Sequence, residues 1–145
     1  MFRHSKSVFH LYSLIALLAS ILGSALTFTP AYALSIVVNT NTDKGDITIF
    51  DGLCSLREAI ANANSNSSAY PDCAPGSDTS LDVITFAGNY TITLPIGQLA
   101  VNSTITINGN GAANTIIQPN DNPDTAAYHY RVFEVTNLGH LTLDG

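Results

Sequence analysis

Tryptophan is absent from the 145 residues, methionine occurs once, and Lys and Arg together number only five. Beyond residue 33 the strong cations are Lys44, Arg57 and Arg131, set against eleven Asp and Glu, a formal charge of −8. Such a balance excludes a phosphate-reading surface, because nucleic-acid affinity comes largely from Lys and Arg neutralising phosphates. Cysteine is limited to Cys54 and Cys73, and beyond residue 33 histidine to His129 and His140, in no zinc-ligand spacing. The acidic residues form loose groups: Asp43, Asp46 and Asp51; Asp72, Asp78 and Asp82; Asp121 and Asp124. None has the fixed spacing of a calcium loop, and they read as a solvated acidic surface. No cofactor or metal is called for.

One long apolar run is present, and it stands at the start. Arg3 and Lys6 form a short basic segment, and Val8 to Phe28 follows with no acid and no Lys. The triplet Ala31, Tyr32, Ala33 then supplies the small residues at alternate positions that a signal peptidase requires, predicting cleavage between Ala33 and Leu34. The alternative is an uncleaved signal anchor, since a run of about 20 apolar residues can span a bilayer. Either reading puts the chain after residue 33 outside the cytoplasm, and the membrane is met through the signal segment alone. In an exported chain the pair Cys54 and Cys73 reads as bridged.

The exported part is punctuated by Gly and Asn and rich in Thr and Ile. LSIVVNT, from Leu34, reads as a strand and ITIF, 47–50, as a second short one. CSLREAIANAN then reads as a helix at about 55–64. Ser55 sits at the N-cap with Glu58 three residues on, the reciprocal capping box. Leu56, Ala59, Ile60 and Ala63 fall at i, i+3, i+4 and i+7, one apolar stripe. Beyond a loop come short alternating runs at 83, 90, 98, 103, 114, 132 and 140, whose period of two predicts strands with one buried face. ITL at 92 recurs as TII at 115 and again as LTL at 141, with ITI at 105 between the first two. The chain is thus expected to be mainly β. Repetition at this interval favours a β-solenoid and leaves a sandwich open.

Catalytic patterns are weak. Cys54 lies at a helix N-terminus, which can lower a thiol pKa, but His129 and His140 stand 75 and 86 positions away in no partner pattern. Arg57 and Glu58 are adjacent, so on a helix they point about 100° apart. Glu58 is taken up by the capping box, and Arg57 is expected to pair with a loop aspartate. Asp82, Glu134 and Asp144 fall on separate strands, with Arg131 as the nearby strong cation, rather than as the paired carboxylates of a glycosidase. Asn can adopt left-handed turns and bond to neighbouring chain segments. Three N-glycosylation sequons, at Asn66, Asn89 and Asn102, matter only in a host that uses them.

The hexapeptide Cys54, Ser55, Leu56, Arg57, Glu58, Ala59, with VVNTNTD before it and DVITFAGNYTITL, QLAVNSTITINGNG and RVFEVTNLGHLTLDG after it, resembles the CSLREA domain. That family is an N-terminal module of large exported bacterial proteins that continue as right-handed parallel β-helices, some similar to polymorphic outer-membrane proteins. After the signal peptide read at 1–33, the resemblance implies a cap region at 34–82 and the first coils of a β-helix at 83–145, in a chain shorter than the family's usual members. It implies no catalytic residues. The expected function is a non-catalytic capping module of a secreted or cell-surface protein, adhesive or architectural, meeting surface polysaccharide or protein through later coils. The alternative is the N-terminal fragment of a secreted polysaccharide lyase or glycosidase whose active site lies beyond residue 145.

Overall fold

A computed structural model describes residues 34–45, 50–120 and 131–145. The signal segment, its Ala33–Leu34 junction and His129 lie outside the described residues, as does most of the expected strand at 47–50; Phe50 itself is exposed and outside any strand.

The described chain is mainly β. Strand β1 (Leu34–Val38) is followed by helix α1 (Leu56–Ser65), then by β2 (Asp82–Phe86), β3 (Tyr90–Leu94), β4 (Leu99–Val101), β5 (Thr104–Asn108), β6 (Thr115–Pro119), β7 (Phe133–Val135) and β8 (His140–Asp144). Each run of apolar residues alternating with Thr becomes a strand because one face can be buried while Thr, Ser or Asn faces out.

All strand pairs among the described residues are parallel. One sheet has the order β1-β2-β5-β8, and two-stranded sheets join β3 to β6 and β4 to β7. From β2 onward each strand therefore pairs with the one three elements later, and the series β2, β3, β4 is answered by β5, β6, β7. Parallel partners need long connections, which the intervening strands supply. The antiparallel hairpins of a sandwich do not occur among these pairs.

Register places like on like. Ile36 lies beside Ile84, Ile84 beside Ile107, and Ile107 beside Leu143, so one inward column crosses four strands. Ile92 faces Ile117, and Leu99 faces Phe133. The core is this stack of apolar columns, with Ile36, Ile84, Ile92, Leu94, Leu99, Val101 and Ile105 fully buried.

The expected equivalence of ITL at 92, TII at 115 and LTL at 141 is corrected by this register. Thr115 pairs with Tyr90, so the two strands are offset by 25 residues rather than the 23 read from the motifs. Leu141 pairs with Ile105, in a different sheet from residue 115. Alternating Thr and Ile states that a strand has a buried face, but not which sheet it joins, and the longer connection between β6 and β7 changes the spacing.

Candidate functional site

Helix α1 and the segment that returns from it are densely hydrogen-bonded. Ser55 is the N-cap in extended geometry (φ −82°, ψ 163°). Its Oγ accepts from the Glu58 N–H at 3.3 Å, while the Ser55 N–H donates to Glu58 Oε2 at 2.8 Å. The same hydroxyl donates to the Lys44 carbonyl at 2.7 Å, fixing the preceding loop to the helix start. The helix ends on Asn66 in the left-handed region (φ 49°), which Asn tolerates better than most residues.

Leu56, Ala59, Ile60 and Ala63 are buried, and α1 contacts β1, β2, β4 and β5. Glu58 and Asn62 are buried as well, which widens the covered face from about 100° to about 200° of the helix at 100° per residue. The helix is thus enclosed by strands on one flank and by its own return segment on the other.

Asn62 is what binds that second flank. Its Nδ2 donates to the carbonyls of Tyr70 at 2.9 Å and Ala74 at 3.0 Å, and its Oδ1 accepts from the Tyr70 N–H at 2.8 Å. Gly76 must pass so close that a Cβ there would lie 2.3 Å from the Asn62 carbonyl oxygen, so a side chain is excluded. Cys54 and Cys73 are joined in a disulfide with Cα atoms 4.8 Å apart, so no thiol nucleophile exists at position 54.

Arg57 emerges from the opposite side of the helix and grips three partners. Its guanidinium makes a bidentate pair with Asp43, Nε to Oδ1 at 2.7 Å and Nη2 to Oδ2 at 2.9 Å. It also donates to the Gly97 carbonyl at 2.6 Å and the Gln98 carbonyl at 3.1 Å, in the β3–β4 turn. A planar fork with five donors suits such a junction, where a lysine would serve one point only. Asn64 adds a further tie, donating to the Ala100 carbonyl at 2.8 Å and accepting from the Asn102 N–H at 2.7 Å.

Lys44 pairs with Asp51 and stands 4.0 Å from the buried Glu58 carboxylate. The hydrogen bond from Lys44 is the main reason the Asp51 carboxyl is held below its ordinary range. Asp82 is opposite in character. Burial pushes its carboxyl up, against the weaker pull of the Ser77 N–H, which donates to Oδ1 at 2.9 Å.

Asp82 on β2, Glu134 on β7 and Asp144 on β8 are not brought together as a catalytic pair: Asp82 closes the loop that starts at Ser77, and Glu134 accepts from Gln98. His140 is exposed on β8 and Arg131 is exposed before β7. Among the described residues, no three of His, Cys, Asp and Glu gather as metal ligands. Asn66, Asn89 and Asn102 are all exposed. A cleft of about 410 Å³, with no residue of α1 in its lining, is bordered by Ile107, Ile117, Val132, Phe133 and Leu143.

Sequence reasoning missed Asn62, Asn64 and Gly76. A signal for Asn62 does exist: a poor helix former three residues after Ala59 and one before Ala63, beside the apolar stripe, needs a reason to be there. No protein-family model, curated protein or solved structure matches the chain.

Proposed function

We propose that this chain is the non-catalytic, N-terminal sealing module of an exported right-handed parallel β-helix protein of the CSLREA type, secreted or held at the cell surface. The observation that carries the reading is that strands three elements apart pair in parallel, in all three sheets, beneath an amphipathic helix that covers the first of them. A stack of this kind leaves an apolar end and free strand edges that invite other chains, so it needs a cover. Helix α1 has the buried stripe, the caps and the cross-ties for that task. The cleft that Leu143 borders is the surface on which such a protein lays its next turn of chain. Surface polysaccharide or protein would be met by later turns, in an adhesive or architectural role.

The test uses the exported protein. Its N-terminus is sequenced, and it is incubated with a panel of neutral and uronate-containing polysaccharides while new reducing ends are followed. The expected result is a chain starting at Leu34 and no product above the blank. A retained Met1 would overturn the cleaved-signal reading, and released sugar ends would favour the lyase or glycosidase alternative.

A further inference from the structure

The two sulfurs of the Cys54–Cys73 disulfide lie inside the cap rather than on it. Cys54 is 1% exposed and Cys73 is 4% exposed, and both belong to the same buried cluster as Ala59 and Ala63. The loop they close contains all of α1. Cys54 is fixed on the β1 side: its N–H donates to Asn39 Oδ1 at 2.7 Å, and its carbonyl accepts from the Asn39 N–H at 3.1 Å. Cys73 is fixed on the helix side, since Asn62 grips the chain just before and just after it at Tyr70 and Ala74. The Asp72 carboxylate adds a tie to the N–H groups of Gly52 at 3.0 Å and Asp51 at 3.2 Å.

Disulfide exchange requires a thiolate to reach one of the sulfurs, so its rate depends on access. We propose that this disulfide is a gated latch: small thiols reach it only when the return segment around Cys73 lifts from α1, and Asn62 is the catch that holds the segment down. Once the cap has seated, the bond that locks it is shielded by the closure it secures. When the segment lifts, the thiolate of a small dithiol attacks one sulfur, forms a mixed disulfide and expels the other cysteine as thiolate, which takes up a proton. The reductant's second sulfur then displaces the first cysteine. The products are two cysteine thiols and one cyclic disulfide, with two electrons passed from the dithiol. The inference rests on burial and hydrogen bonding in the cap, and it stands or falls independently of whether the chain belongs to a longer β-helix.

The test is the rate of reduction by dithiothreitol in the purified full chain, quenched by alkylation and read by mass. Opening that must break the side-chain hydrogen bonds of Asn62 should slow reduction at least about 100-fold relative to the same chain unfolded in urea. Amides of α1 and of residues 66–76 should lose hydrogen-exchange protection as the bond opens, while those of β5 keep theirs. Asn62→Ala should speed reduction by roughly tenfold or more, and Thr142→Ala on β8 should leave it unchanged. A native rate within a few-fold of the unfolded rate would overturn the latch. So would reduction that proceeds only as β5 also loses protection, since the gate would then be the whole fold. The first two measurements need no variant, so they decide the matter even if Asn62→Ala does not fold.

Discussion

Asp43 and Arg57 show how much can hang on one pair. The Asp43 side chain is almost wholly enclosed and is forked by a guanidinium that also serves two backbone carbonyls. Arg57→Ala would leave a buried carboxylate and two carbonyls without their donor, and should cost about 3 kcal/mol, read as a lower urea midpoint. Arg57→Lys should recover only part of that loss, because one ammonium cannot make the bidentate fork. Full recovery by Lys would show that charge alone matters here.

Asp82 makes a prediction about pH. Its folded carboxyl titrates above the ordinary value of 3.8, so the folded state binds its proton more tightly than the unfolded chain. Stability from this group is therefore greatest in acid and falls as pH rises from about 3.8 through the raised folded value. Asp82→Asn lacks that dependence. The stability difference, wild type minus variant, should decline across this window, and a flat difference would sink the assignment.

At the scale of the element, α1 owes its place to packing. A ten-residue helix is marginal alone, and its caps contribute about 1 kcal/mol each, so its buried face must supply most of its stability. Leu56→Asp or Ile60→Asp would put a charge among strands and should shift the protein into aggregates, measured by light scattering and soluble yield. Leu138→Asp, at a position 86% exposed, should leave solubility unchanged. Cys54→Ser with Cys73→Ser removes a cross-link that closes a loop of about 20 residues. That should lower stability by roughly 3 kcal/mol on the chain-entropy model.

At the scale of the whole described chain, exposure follows position in the sheet. In the column Ile36, Ile84, Ile107, Leu143 the first three are buried and Leu143 is 60% exposed. Residues of one chemical type differ because the first lie under α1 or between strands and the last borders the open cleft. Filling that cleft with a further strand, by extending the chain with an alternating segment, should raise the thermal midpoint and protect β8 amides. No gain in β8 protection would argue against stacking in this direction.

The strands from Leu34 and from Asp82 onward, the helix with its Ser55 and Glu58 box, and the partnership of Arg57 with a loop aspartate were legible in residue order, because period, capping and charge pairing act over a few positions. The bridge between Cys54 and Cys73 could be read from there being two cysteines and no more. Sheet membership could not be read, since ITI at 105 and TII at 115 look alike while lying in different sheets. Nor could the roles of Asn62 and Gly76, or which aspartate Arg57 would choose. Those depend on which atoms meet at close range once loops spanning 8 to 14 positions have closed, and no local pattern encodes that distance.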